Sequence, residues 1–218
     1  MATSPTERRH STSIAPAHGP WMAGGKRLFD IVVGLAVLVL LSPILLLIAL
    51  AIVIESPASP FFVDERVGLN GAKFRMWKFR SMTPNATEHE LGRRMLVQDP
   101  RVTRVGGLLR RTSLDELLQA WNILVGDMSV VGPRPGLWEH GQMYDAYQRQ
   151  RLLVRPGVTG LAQISGRNNL TWGERIEYDL DYIGSASMLL DLRILLATVG
   201  TVVTGRGISS IHQQRKAL

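Results

Sequence analysis

The residues best suited to chemistry in this chain are cations set where proline and glycine punctuate the backbone. They are Lys78 and Arg80, Arg110 and Arg111, Arg134 between two prolines, Arg155, and Arg167. Proline and glycine fix the chain and let it approach a ligand closely, and arginine forks match phosphate oxygens two at a time. Any one of these groups could be a solvated surface charge, a reading that weakens when five occur in one small chain. The formal charge of +7 is uneven in the same sense: from Arg66 to Arg111, eleven Lys or Arg stand against Glu88, Glu90 and Asp99. Such a stretch attracts nucleic acid, anionic lipid or phosphorylated small molecules, and charge alone does not choose among them.

Beside these cations stands an acidic pair, Asp115 and Glu116. Two readings compete for it. Ser113–Leu114–Asp115–Glu116 has the spacing of a capping box, with Glu116 reaching back to the backbone of Ser113, and acidic residues in a first turn also complement the helix dipole. The other reading is a carboxylate nucleophile that attacks phosphorus to form an acyl phosphate. Neighbouring arginines would then lower its pKa and neutralise the incoming phosphates. There is no Walker A loop, no G-x-G-x-x-G and no H-E-x-x-H, and the five histidines are scattered. With no cysteine, a disulfide framework, a thiolate zinc site and a cysteine nucleophile are all excluded.

Several elements must hold these groups in place. Residues 1–22 are rich in Ser, Thr, Ala, Pro and His without hydrophobic period, and read as a disordered tail. Ile31 to Ile54 is a run of 24 uncharged residues interrupted by Gly34, Ser42 and Pro43. Length alone suits a bilayer, since ~20 apolar residues suffice. Pro43 removes a backbone hydrogen bond at its centre and bends the helix, and Ser42 can satisfy a carbonyl so freed. Positive charge flanks both ends, Lys26 and Arg27 before, Arg66 and Lys73 after. The positive-inside rule holds both flanks in the cytoplasm, which a re-entrant helix obeys and a single span does not; these arguments leave a kinked span as the alternative.

Beyond the run, Pro60 to Val67 and Lys73 to Phe79 read as strands around a turn at Leu69–Asn70–Gly71. Residues 84–99 read as a polar loop with some helix. Ser113 to Leu124 has Leu117, Leu118, Trp121 and Leu124 at helical spacing and ends at Gly126. Val131 to Gly136 and Arg155 to Gly160 are irregular, while Glu139 to Leu153 and Trp172 to Tyr182 read as helices. Met188 to Thr204, seventeen residues interrupted by Asp191 and Arg193, is short for a span and suits an interfacial or core-packed helix.

Ordered motifs then carry a family likeness. They are K-R-L-F-D at Lys26 to Asp30, the apolar run with its central Ser42–Pro43, F-F-x-x-E-R-V-G at Phe61 to Gly68, and W-K-F-R-S-M at Trp77 to Met82. D-P-R-V-T follows at Asp99 to Thr103, L-R-R-T-S-L-D-E-L-L-Q at Leu109 to Gln119, G-D-M-S-V-V-G-P-R-P at Gly126 to Pro135, and R-P-G-V-T-G-L-A-Q-I-S-G-R-N at Arg155 to Asn168. From Lys26 to about Gly207 the chain resembles the bacterial polyprenyl-phosphate phosphoglycosyl transferases, the monotopic sugar transferase family, in its minimal form without the larger relatives' additional domains. The resemblance implies an α+β fold: a small mixed globular domain with a re-entrant N-terminal membrane helix, broken at Ser42–Pro43, and interfacial amphipathic helices. It divides the chain into the tail (1–22), the re-entrant helix (23–56) and a cytoplasmic catalytic domain (57–218) on the bacterial inner membrane.

The same resemblance implies a two-step, magnesium-requiring transfer, in which Asp115 takes a sugar phosphate from a UDP-sugar, releases UMP and passes the phosphosugar to polyprenyl phosphate. Glu116 would help bind magnesium with Asp115, or assist the second attack. Lys78, Arg110 and Arg134 match phosphate-handling positions, Arg167 one facing the nucleotide sugar, and Asp179 and Asp191 acidic positions near the active site. Asp64 stands where many relatives have Gln, and Ala58–Ser59 where a glycine is commoner, which puts the local turn geometry in question. The partners are a UDP-sugar, a polyprenyl phosphate and the lipid bilayer; a homodimer is left open. A tethered nucleic-acid binder would explain the charge, but neither a binding fold nor aromatic-rich basic strands are present. The other alternative is an inactive family member serving as scaffold or regulator.

Overall fold

The computed structural model describes residues 13–84, 99–166 and 170–204, with side chains to residue 200. The loop expected over 84–99 lies almost wholly outside the described residues, as does Arg167. Helices and two small sheets are interleaved along the chain, an α+β arrangement.

The apolar run forms two helices, α1 (Lys26–Leu40) and α2 (Ser42–Glu55), preceded by a π-helical turn at Trp21–Gly25. The pair is bent by 60°. In an unbroken helix the N–H of residue 43 would bond the carbonyl of Val39; proline has none, and Ser42 Oγ donates to that oxygen at 2.8 Å. Among the described residues no single helix is long and apolar enough to cross a membrane, whereas the bent pair together has the length and composition. Much of its surface is open, with Leu40, Leu46 and Ile54 each more than 70% exposed.

Strands β1 (Phe61–Val67) and β2 (Lys73–Phe79) form an antiparallel hairpin in register from Phe61 opposite Phe79 to Val67 opposite Lys73. The turn between them is a 3-10 turn at Leu69–Gly71 in which Asn70 and Gly71 both have positive φ. Helix α3 (Arg104–Thr112) follows, then a 3-10 turn at Leu114–Glu116 and helix α4 (Gln119–Val125). The continuous helix expected from Ser113 is thus broken, and its face is rotated. Gln119, Ala120, Asn122 and Ile123 point inward, while Trp121 is 52% exposed. Gly126, at φ 98°, ends α4 as expected.

A short parallel ladder pairs β3 (Ser129–Val131), which ends where the first segment read as irregular begins, with β4 (Gly157–Thr159), which lies inside the second. Three-residue strands are too short to show an alternating pattern. Glycine makes the approach possible: a Cβ on Gly157 would lie 2.1 Å from the nitrogen of Gly132. Between them, the single helix expected over Glu139 to Leu153 is divided into α5 (Trp138–Gln142), α6 (Ala146–Arg149) and a 3-10 turn at Gln150–Leu153. Helices α7 (Leu161–Ser165), α8 (Trp172–Ser185) and α9 (Met188–Thr204) complete the fold. Helix α8 opens with a capping box between Thr171 and Glu174.

The main core gathers Met128 and Val131 of the β3 region, Phe74 and Met76 of β2, Ile176, Tyr182 and Ile183 of α8 and Ile194 of α9. The expected tail contributes too. From residue 13 onward it lies on the domain, with Ile14 N–H donating to Gln150 Oε1 at 2.6 Å and Ala17 N–H to the Ile183 carbonyl at 2.8 Å. A second, smaller core joins Ile52 of α2 to Phe79 of β2 and Leu109 of α3.

Candidate active site

The acidic pair owes its position to the end of α3. Thr103 caps the start of that helix, accepting from Gly106 N–H at 2.9 Å. Arg110 and Arg111 stand in its last turn, where cations complement the dipole. Ser113 ends it in the left-handed region, at φ 58°. The capping box read at Ser113 therefore does not form: an N-cap residue needs extended backbone, and the Ser113 side chain makes no cap bond. The carboxylate of Glu116 turns to cations instead. Arg134 Nη1 donates to Glu116 Oε2 at 3.2 Å and its Nη2 grips Oε1, a two-pronged pair. Lys78 Nζ lies 3.7 Å from Oε1.

Two adjacent carboxylates consequently have opposite characters. Burial alone would push Glu116 up, but Arg134, Lys78 and Arg66 outweigh it and hold the carboxyl at about 2. Asp115 is pushed up to about 6, first by burial and then by the negative charge of Glu116, against the pull of Lys78, Arg110 and Arg134. This corrects the expectation of a lowered value: the arginines do pull it down, but burial and the charge of Glu116 outweigh them. Among the described residues, no hydrogen bond or ion pair holds the Asp115 carboxylate. At neutral pH Asp115 is charged, desolvated and uncommitted.

Each cation is set by its own surroundings. The period of two in β2 puts Lys78 on the face that carries buried Phe74 and Met76. The strand is fixed to α4 by the buried amide of Asn122, which accepts from Trp77 N–H at 3.0 Å and donates to the Arg75 carbonyl at 2.7 Å. Arg110 Nε donates to Ser81 Oγ at 2.7 Å. The Arg134 loop is gripped from both sides: Arg151 donates to the Arg134 carbonyl at 2.8 Å, and Arg66 to the Pro135 carbonyl at 3.4 Å. Arg66 also pairs with Asp64.

Of the residues singled out in the sequence, Lys78, Arg110, Arg134, Asp115 and Glu116 converge. Asp179 lies one link behind them, bonded to Arg151 at 2.6 Å with both side chains 2% exposed. Tyr144 and Trp172 flank that guanidinium, 5.7 and 5.2 Å from their ring centres. Asp191 belongs to another cluster, bonded to Lys26, Trp21 and Tyr182. Arg80 and Arg155 act as helix closers: Arg80 bonds the Ser56 carbonyl after α2, and Arg155 the Gly126 carbonyl after α4. Arg151 and Asn122 escaped the sequence reading, and Arg66 entered it only as a charge flanking the apolar run. Neighbouring prolines would have flagged none of them, since each acts by holding backbone.

Among the described residues no group of three or more His, Cys, Asp or Glu could enclose a metal. Asp115 and Glu116 offer adjacent carboxylates, one already shared with Arg134. Magnesium is usually held by one or two carboxylates together with water and substrate phosphates. The donor set fits an ion that shares a diphosphate ligand.

The site is thus a carboxylate with no bonded partner among the described residues, set among cations on a domain packed against a bent pair of apolar helices. The chain belongs to the bacterial sugar transferase family, whose model matches residues 21–205. It is 40% identical over 196 residues to the exopolysaccharide production protein ExoY of Sinorhizobium fredii, covering 84% of this chain and 87% of that one. It is 41% identical over 188 residues to the uncharacterized sugar transferase EpsL of Bacillus subtilis, covering 86% and 91%. A UDP-glucose:undecaprenyl-phosphate glucose-1-phosphate transferase of Klebsiella pneumoniae is 46% identical over 182 residues, which are 80% of this chain but 39% of that longer protein.

Proposed function

We propose that this enzyme transfers a sugar 1-phosphate from a UDP-sugar to polyprenyl phosphate, as the first step in assembling an exopolysaccharide or related surface glycan. The observation that carries this reading is the uncommitted carboxylate of Asp115 beside a neighbour that has taken the cations.

The sequence of bonds follows from that asymmetry. An Asp115 oxygen attacks the sugar-linked phosphorus, and the bond from that phosphorus to the bridging oxygen breaks, releasing UMP. The polyprenyl phosphate oxygen then attacks the same phosphorus, the acyl phosphate bond breaks, and the carboxylate of Asp115 is restored. Lys78, Arg110 and Arg134 neutralise diphosphate oxygens as charge moves between them. Glu116 holds Arg134 and Lys78 in place; Arg167, outside the described residues, is assigned to the nucleotide sugar by the family resemblance alone. Asp115 and Glu116 are the residues that would hold magnesium, which supplies further charge neutralisation on the phosphates.

A lipid-borne acceptor needs a site at the membrane surface. The bent pair α1–α2 serves as a re-entrant anchor in the bacterial inner membrane, with the catalytic domain on the cytoplasmic face. Exposed Leu108, Trp121 and Val125 on α3 and α4, and Leu189, Leu192, Leu196 and Val199 on α9, suit interfacial helices.

The test is UMP release by purified protein in nanodiscs with magnesium, undecaprenyl phosphate and a panel of UDP-sugars. UMP formed from one donor and lost in Asp115→Asn supports the reading and names the sugar. Substantial turnover by Asp115→Asn would falsify the nucleophile role.

A further inference from the structure

We infer that Glu55 is a positioning residue that fixes the height of Asp115 relative to the apolar hairpin, and so governs the meeting of its bound phosphosugar with a lipid-borne phosphate. The inference rests on the transfer reading above and on three contacts that reading does not use.

The first is a cap supplied from a distance. Glu55 ends α2, where a carboxylate opposes the helix dipole. Its two oxygens instead accept the backbone N–H groups of Arg104 at 2.7 Å and Val105 at 2.9 Å, the first two residues of α3. Thr103 already caps α3 locally through Gly106 N–H. The helix therefore carries two caps: one from its own chain, and one that ties it to the end of the hairpin.

The second contact is apolar. Leu45, Ile48, Ala49 and Ile52 recur on one face of α2, and that face shares the smaller core with Val105 and Leu109 of α3 and with Leu114 and Leu118. Leu114 immediately precedes Asp115. The third is a seat for α3. A Cβ on Gly106 would lie 2.0 Å from the Ser81 carbonyl oxygen, so the helix rests on the segment that also carries Lys78. Arg80, in that same segment, bonds the Ser56 carbonyl that follows Glu55. Hairpin exit, α3 and the Lys78 segment make one block. The nine residues of α3 set a span of about 13 Å between the Glu55 lock and the acidic turn.

Height matters unequally to the two half-reactions. A soluble nucleotide sugar reaches the site wherever it stands, whereas the acceptor phosphate is confined to the membrane surface. Loss of the lock should therefore act on the second half-reaction. In nanodiscs, Glu55→Ala should raise KM for polyprenyl phosphate about fivefold to tenfold, the size of a lost helix cap, while single-turnover UMP release stays within about twofold. Glu55→Gln, which keeps an amide oxygen as acceptor, should recover part of the loss. Thr103 also bonds Glu55, so the control lies elsewhere: Thr171→Ala removes the capping box of α8 and should lower the melting temperature without raising that KM. The chain has no cysteine, so a single spin label at Leu108→Cys reports depth directly. Its oxygen-to-nickel collision ratio should shift in Glu55→Ala and not in Thr171→Ala.

Equal loss of both half-reactions in Glu55→Ala, the same KM rise in Thr171→Ala, or an unmoved label in Glu55→Ala would overturn the proposal. If the wild type releases no UMP at all, the transfer reading fails, and the label still decides whether Glu55 sets the depth.

Discussion

Two carboxylates beside cations, the buried Asp191 and the half-buried Asp115, have opposite fates. At the foot of α1, Asp191 is wholly withdrawn from water and every contact it needs is made. Lys26 Nζ lies 2.7 Å from Oδ2, Trp21 Nε1 donates to the same oxygen at 3.0 Å, and the Tyr182 hydroxyl donates to Oδ1 at 2.7 Å. The cluster ties α9 and α8 to the first turn of the apolar hairpin. In the acidic turn Lys78 and Arg134 pair with Glu116, and among the described residues no hydrogen bond or ion pair holds Asp115. A satisfied carboxylate holds structure together; an unsatisfied one keeps its lone pairs for an electrophile.

The largest expected effect comes from removing the reactive partner. Asp115→Asn should lower turnover by a factor of at least about 10³, the loss expected when a nucleophile is deleted, with the fold intact. It should also raise stability at neutral pH. The folded-state pKa lies above the ordinary value, so between 3.8 and about 6 the folded state binds more protons than the unfolded one. Stability therefore falls as pH rises through that window, then levels off. At about 1.4 kcal/mol for each pH unit, the full penalty is roughly 3 kcal/mol. Denaturant titrations from pH 4 to 7 should show this decline in the wild type and lose it in Asp115→Asn. UMP release should rise with pH through about 6 as the nucleophile ionises. Glu116 has the opposite sign: its contribution is present above 4.5 and lost as pH falls toward about 2.

Breaking the other cluster should do the reverse. Asp191→Asn leaves the ammonium of Lys26 buried without its counter-charge, which costs about 3–5 kcal/mol. Chemical denaturation should register that loss, while UMP release per folded molecule keeps its midpoint near pH 6. A shift in that midpoint would mean the two clusters are coupled.

Arg134→Lys probes the boundary between holding and reacting. Lysine keeps the charge but cannot offer two parallel donors to Glu116. The expected cost is about a hundredfold in kcat/KM, in keeping with loss of one preorganised charge contact. Glu116, gripped less firmly, then draws more on Lys78, the other cation it touches, and leaves less of that charge for Asp115. The UMP-release midpoint should move, and a fall in rate with no movement would assign Arg134 to substrate alone.

How much of this was legible beforehand depends on the distance over which each contact acts. The hairpin, its turn, the bend at Ser42–Pro43 and helices α8 and α9 follow from local pattern and side-chain chemistry. The residues that meet at the site were legible from their motifs. Their division of labour was not: the spacing of Ser113 and Glu116 is that of a capping box, and only the Arg134 loop, eighteen residues further along the chain, decides otherwise. Nor could composition tell Arg134, which binds the acidic pair, from Arg155, which closes α4 from an equally Pro/Gly-rich segment. Asn122, Arg151 and Glu55 hold backbone groups distant in sequence, and nothing adjacent to them announces it.

The smallest expected effect concerns the residue that turns Asp115 into place. Ser113 has a left-handed backbone at φ 58°, a conformation that costs a residue with a Cβ about 1–2 kcal/mol and costs glycine almost nothing. The side chain is exposed and makes no cap bond to recover that cost. Ser113→Gly should therefore stabilise the fold by at most about 1 kcal/mol, since glycine's greater freedom when unfolded offsets part of the gain. Turnover is the sharper readout. If left-handed geometry is all that position 113 supplies, the glycine variant should keep UMP release within about twofold, whereas Ser113→Val, a β-branched residue ill suited to positive φ, should lose both stability and rate. Loss of rate in the glycine variant with unchanged stability would show that the serine hydroxyl itself meets the substrate.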